Sequence, residues 1–259
     1  MLFVHENNLL TKIEKNYKGC SSQISDFYQN TYLPMKTKML TYHFEENDFQ
    51  TFSDATNTIN VYYNKLREFS KKYNITSQSK FESTYLEEIS VYLFREIPEI
   101  LNGTFGIFNK KIYAGLKIDS NKKMAIITKD VDFCIGKKVN ISIDKESLIE
   151  LILPIVAVEV KTYLDATMFG EIKSSSKSIR SASPDSKTYV LMGYKDLADT
   201  HIIAARQDST LTEMFALRDN NSSLIRDDAV YEYWKEICFA INSVSNEEFV
   251  NSHGRLLRG

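Results

Sequence analysis

Glu159 and Lys161 are the residues whose setting first asks for a chemical explanation. They lie in the run IVAVEVKTY at 155–163, which is apolar on both faces and reads as a strand buried between layers. Alternate residues of a strand share a face, so the two side chains project together, roughly 6–7 Å apart. Taking such charges out of water is costly unless a partner or an ion receives them. A second acidic segment, KDVDFCIG at 129–136, reads as another strand with Asp130 and Asp132 on one face. If the two strands are neighbours, an Asp, a Glu and a Lys meet at one point. Paired carboxylates suit a hard divalent ion such as Mg²⁺. A lysine beside them can orient a water and neutralise charge on a phosphate. The plainer alternative is a salt-bridged edge strand, but such a strand would alternate with more polar residues than IVAVEVKTY does.

Other chemistries find no support. The chain has no Gly-rich phosphate loop, no GxGxxG, no GxSxG and no CxxC. His5, His43, His201 and His253 never fall at metal-binding spacing. Cys20, Cys134 and Cys238 are odd in number and widely spaced, as expected of free thiols in a reducing compartment. No apolar run approaches a membrane span and the first residues lack the pattern of a secretory signal, so a soluble cytoplasmic protein is expected. The net charge of −2 offers no general case for nucleic-acid binding. Local distribution matters more, and Lys110, Lys111, Lys117, Lys122 and Lys123 cluster with only Asp119 against them.

The elements that must position these residues follow from periodicity. Residues 1–76 are expected as a helical region, with a helix over 54–73 capped by Ser53 or Asp54. A second helix over 81–97 stops near Pro98. Asn102-Gly103 marks a turn, after which strands are expected over 104–118, 124–135 and 138–143. A helix is expected over 147–153, ending at Pro154, and another over 166–182. Strands near 188–193, 200–205 and 212–217 precede a last helix over about 228–243. This is an α/β arrangement: a mixed central β-sheet flanked by helices, with a helical N-terminal region at 1–76 and a core at 77–259.

Asp132 followed by Glu159-Val160-Lys161 resembles the PD-(D/E)XK nuclease motif, with Val131 in place of the proline. The resemblance extends to type II restriction endonucleases, in particular to BbvCI-like subunits. It is carried by DFCIG after Val131, VEVKTYLD at 158–165, SPDSKTYVLMG at 183–193, TEMFALRDN at 212–220 and the SxxxEE helix at 83–88. It implies Mg²⁺-dependent hydrolysis of double-stranded DNA at a short specific site, with Mn²⁺ able to substitute. Asp132 and Glu159 are then metal ligands and Lys161 positions the attacking water. The family's extra helical glutamate falls on Glu82, Glu87 or Glu88; Glu87 fits the pattern best and points toward an apolar face. Asp130 is left as a solvated or supporting carboxylate.

Lys173, Lys177 and Arg180 share one face of the 166–182 helix and can track a DNA backbone, although a solvated face explains them equally well. Asp165 reads as that helix's cap, and Trp234 as core or subunit contact. Because a double-strand break needs two attacks, the resemblance implies pairing, either as a homodimer or as a heterodimer with a related subunit. A structure-specific repair nuclease and a non-catalytic DNA-binding subunit are the alternatives within this fold.

Overall fold

The computed structural model describes residues 3–76, 79–142, 148–207 and 210–245. Five strands form one sheet in the order β1 (Gly106–Phe108), β4 (Phe133–Ser142), β5 (Leu148–Leu164), β6 (Lys187–Lys195) and β7 (Glu213–Ala216). The first two pairings are antiparallel and the last two parallel. Parallel neighbours need crossover connections, and these are supplied by α7 (Ala166–Ala182) and α8 (Asp199–Gln207). A separate antiparallel ribbon, β2 (Ile112–Ile118) with β3 (Met124–Lys129), rests on the main sheet through Ile112, Val131, Cys134, Ala157 and Ile179.

The other face of the sheet is covered by helices. The N-terminal region comprises α1 (Val4–Glu14), α2 (Ser21–Phe27), α3 (Leu33–Met39) and the long α4 (Phe49–Lys72). Between them and the sheet runs α5 (Phe81–Phe94), followed by the short α6 (Pro98–Leu101), and α9 (Asp227–Ser245) closes the layer. Nearly every residue of α5 is buried, as befits a helix with neighbours on all sides. Its core is continuous with both: Phe94 meets Phe133 of the sheet and Tyr233 of α9, while Tyr85 meets Tyr62 of α4. Polar clasps reinforce the joint. Asn60 of α4 exchanges two hydrogen bonds of 2.8 Å with the backbone of Ile225.

Several expected elements form as read. The helix over 166–182 has those limits, and Asp165 caps it by accepting from the Met168 N–H at 2.8 Å. The 54–73 helix begins earlier, at Phe49, because Asp48 provides the cap through the Thr51 N–H. The 81–97 helix ends at Phe94, and Pro98 opens a new short turn of helix. The strand read over 104–118 is two, and the one read over 124–135 breaks between Lys129 and Phe133; β4 then runs on into the segment read as 138–143, as far as Ser142, with residue 143 outside the described residues.

Two expectations are corrected. The stretch 148–153 is strand, not helix, with residue 147 outside the described residues. It pairs with Lys137–Ser142 of β4, and that ladder outweighs the helix propensity of LIELIL. Pro154 does not end the strand because the register shifts there, opposite Gly136. The stretch 200–205 is helix α8, not strand; β6 and β7 are parallel, so a crossover helix must join them.

The bulge at Pro154 makes Gly136 a sensitive position. A Cβ there would lie 2.3 Å from the Leu153 carbonyl oxygen, which the ladder holds in place. Gly136→Ala is therefore expected to destabilise the fold by about 1–3 kcal/mol, seen as a lower urea midpoint. An unchanged midpoint would show that β5 can shift freely at the bulge.

Candidate active site

The site is assembled where β4 begins. The last β4–β5 pair is Phe133 with Val158, which leaves the next β5 amide without a ladder partner. Asp132 takes that role: its Oδ2 accepts from the Val160 N–H at 2.8 Å. The carboxylate is thereby fixed to the backbone of the strand that carries Glu159 and Lys161. Asp130 and Asp132 do not share a strand face, as the sequence suggested, because they lie in the link ahead of β4. Asp130 turns to the Lys111 N–H at 3.2 Å and stays exposed.

Lys161 Nζ is 3.2 Å from Glu159 Oε2 and 3.5 Å from Asp132 Oδ2. The three side chains are 29% (Lys161), 18% (Glu159) and 29% (Asp132) exposed, so the cluster is largely sheltered yet reachable from solvent. Glu159 and Lys161 do project together, two residues apart on β5. The strand is held by β4 on one side and β6 on the other, so its side chains are aimed by a rigid support.

Glu87 of α5 lies within electrostatic reach of Asp132 and Lys161. It is buried, and burial first, then the charge on Asp132, push its carboxyl up to about 8. Lys80, Lys161 and Lys110 oppose that rise. Glu159 is raised as well, by burial and then by Asp132. Burial draws the Lys161 ammonium down, but Asp132 and Glu159 hold it above its ordinary value. Asp132 and Glu159 thus flank Lys161 directly, while burial, with the charge on Asp132, raises both Glu87 and Glu159.

The neighbouring glutamates do other work. Successive helical residues are about 100° apart, so Glu88 points away from Glu87 and toward the N-terminal helices. It is fully buried and accepts from the Tyr32 and Tyr92 hydroxyls, both at 2.8 Å. It also accepts from the His5 and Glu6 N–H groups at 2.9 and 3.1 Å, tying down the start of α1. Glu82 accepts from the Tyr63 hydroxyl at 2.9 Å. Tyr63 also receives a hydrogen bond from Arg218, a buried guanidinium packed between the Tyr63 and Tyr194 rings. Neither the Glu88 network nor the Arg218 clasp was foreseen; single tyrosines and arginines far apart in sequence carry no spacing signal.

On α7, Phe169, Ile172, Ser176 and Ile179 face inward. Lys177 is exposed, while Lys173 and Arg180 are partly covered, and Lys173 lies over the Phe169 ring. Trp234 is buried against Phe52. The three cysteines are free thiols, and no helix among the described residues is long and apolar enough to cross a membrane.

Among the described residues no group of three or more His, Cys, Asp or Glu forms a ready metal cage. The donors at Asp132 and Glu159 are all oxygen, with solvent access, which is how Mg²⁺ is usually held: by one or two carboxylates, with water and substrate phosphate filling the other positions.

A family model described as the Bpu10I restriction endonuclease matches residues 78–230, more than half of the chain. Among solved structures, the native BbvCI A2B2 tetramer at low resolution superposes with a TM-score of 0.78. The identity is 14%, and the alignment covers 95% of this chain and 99% of that one. No curated protein sequence matches. At such identity the BbvCI likeness speaks for the fold, including the helical N-terminal region and the mixed sheet. The family match spans all four residues of the cluster, and on that match the chain belongs to the Bpu10I restriction endonuclease family and is a site-specific endonuclease.

Proposed function

We propose that the chain is a cleaving subunit of a type II restriction endonuclease, hydrolysing a phosphodiester of double-stranded DNA in the cytoplasm with Mg²⁺, for which Mn²⁺ can substitute. The observation that carries this reading is Lys161 lying within 3.5 Å of both Asp132 and Glu159 at the end of the β4–β5 ladder. Asp132 and Glu159 would hold the ion, with the Glu87 carboxyl of α5 near enough to bias the charge around it. A bound divalent ion supplies Lewis acidity at the scissile phosphate. Lys161 orients the attacking water and offsets charge on the phosphoryl oxygens from its fixed place between the carboxylates. The Val160 N–H keeps Asp132 from swinging away when the substrate's negative charge arrives. Lys173, Lys177 and Arg180 contact the DNA backbone beside the site.

One such site attacks one strand. The reading therefore includes a second nuclease core, and the A2B2 composition of the BbvCI structure favours a related, different chain over a second copy of this one. Supercoiled plasmid with Mg²⁺ separates the possibilities. Discrete linear fragments from the pure chain would indicate a homodimer, and nicking of one defined strand would indicate a missing partner. Indiscriminate or branch-dependent cutting, or none, would contradict the reading.

Asp132→Asn, Glu159→Ala and Lys161→Ala are each expected to lower cleavage by about 10²–10³-fold or more without loss of fold. Asp130→Asn should leave the rate near that of the unaltered chain. Near-normal cutting by Glu159→Ala or Lys161→Ala at unchanged thermal stability would remove the catalytic assignment, and a larger loss at Asp130 than at Asp132 would move the ligand upstream.

Glu87→Gln should separate activity from stability. A carboxyl raised from an ordinary 4.5 to about 8 favours folding in its protonated form. Its contribution is present at pH below about 4.5 and is lost as pH rises through about 8. Without added metal, Glu87→Gln should therefore flatten the fall in stability between those limits and gain on the order of 1–3 kcal/mol at the alkaline end, while cleavage slows. Denaturant midpoints across pH, beside plasmid cutting, test both halves. A variant that cuts normally, or whose stability follows pH like the unaltered chain, would make Glu87 a structural residue only.

A further inference from the structure

The most positive stretch of the chain is one that the proposed chemistry leaves unused. The β2–β3 ribbon is rooted beside the cluster. The Lys110 N–H donates to the Val131 carbonyl at 2.8 Å, and the Lys111 N–H to Asp130 at 3.2 Å, immediately ahead of Asp132. Near its root the ribbon is covered, with Ile112 fully buried. The register shifts between Tyr113 and Gly115, and beyond that point the ribbon emerges. Leu116 is 50%, Ile118 76% and Met124 48% exposed. Ile118 faces Met124 and Leu116 faces Ile126 across the ladder, so this apolar set lies on one face. Lys117 is exposed on the other face and Lys122 at the turn.

The turn itself departs from the easy solution. Asp119 Oδ1 accepts from the Asn121 and Lys123 N–H groups at 2.8 and 2.9 Å, and the Lys122 N–H donates to the Asp119 carbonyl at 3.0 Å. Lys122 sits at φ 61, and Lys110 at the root at φ 63. Glycine takes this left-handed geometry freely and is the common choice in short hairpins; a lysine is strained there. Strain of this kind gathers at functional sites. Asp119 and Asp130 are engaged by the turn and the root.

We propose that the β2–β3 ribbon enters the major groove of duplex DNA beside the scissile phosphate. Its Lys117 and Lys122 lie on flanking phosphates, and its Leu116, Ile118 and Met124 face meets base edges. This rests on the reading of the chain as a nuclease acting on double-stranded DNA. The major groove admits a two-stranded ribbon, and thymine methyls there offer apolar contacts. The seven residues of β2 extend about 20 Å, a reach of about six base pairs from the site. A protein partner fits less well, since lysine is depleted in protein interfaces.

The test uses the full chain, a fluorescently labelled mixed-sequence duplex and a salt series. Lys122→Gly relieves the turn, so thermal stability should rise or hold. Binding should nevertheless weaken roughly five- to tenfold, and the slope of log K against log salt should fall by about 0.9. Adding Lys117→Ala should lower the slope by about as much again. Stabilised variants with an unchanged slope, alongside an unaltered chain that binds and cuts, would overturn the ribbon assignment alone. Ile118→Ser that changes the oligomeric state but not DNA binding would also overturn it, making the face a subunit contact. An unaltered chain that neither binds nor cuts duplex would overturn the nuclease reading and the ribbon with it.

Discussion

The structure turns on one electrostatic constraint: Asp132 and Glu159 are held against the Lys161 ammonium in a sheltered place, with Glu87 buried within reach of the Asp132 charge. Carboxylates repel one another in a sheltered place and are driven toward their protonated forms. Burial and Asp132 together raise both Glu87 and Glu159, even with Lys161 present. An arrangement this costly persists only where the surrounding fold holds each group in place. Much of the architecture can be understood as that support.

The support has two parts. From the sheet, β5 delivers Glu159 and Lys161 on one face, while its Val160 N–H grips Asp132 at the point where pairing with β4 stops. From the helices, α5 delivers Glu87, and the neighbouring Glu88 fixes that helix from behind. Four donors converge on the Glu88 carboxylate, which offsets the desolvation of a fully buried acid. Adjacent glutamates one helical step apart thus serve opposite ends: one faces the cluster, the other locks α1 and the tyrosines of the N-terminal region to α5.

How far this was legible in the sequence depended on range. The run IVAVEVKTY carried its own evidence, because charged residues in a strand apolar on both faces need a partner. Asp165 at the head of α7 was likewise a local signal. Elements that depend on distant pairing were not legible. LIELIL before Pro154 has helical composition and becomes strand only through Lys137–Ser142. HIIAAR has strand-like isoleucines and becomes helix because β6 and β7 run parallel. Among Glu82, Glu87 and Glu88, the resemblance favoured Glu87. In the structure Glu82 is engaged by Tyr63 and Glu88 by Tyr32 and Tyr92. The shift of Asp130 away from Asp132 followed from a strand that begins later than its apolar pattern suggested.

The proposal that Asp132 and Glu159 receive a divalent cation beside Glu87 is tested most directly by calorimetric titration of Mn²⁺ into the pure chain near pH 7. Repeating it in buffers of different ionisation enthalpy gives the number of protons released. The account predicts saturable binding with net release of about one proton per ion, because Glu87, at about 8, must give up its proton as the cation arrives. Binding without proton release, or no binding at all, would contradict it.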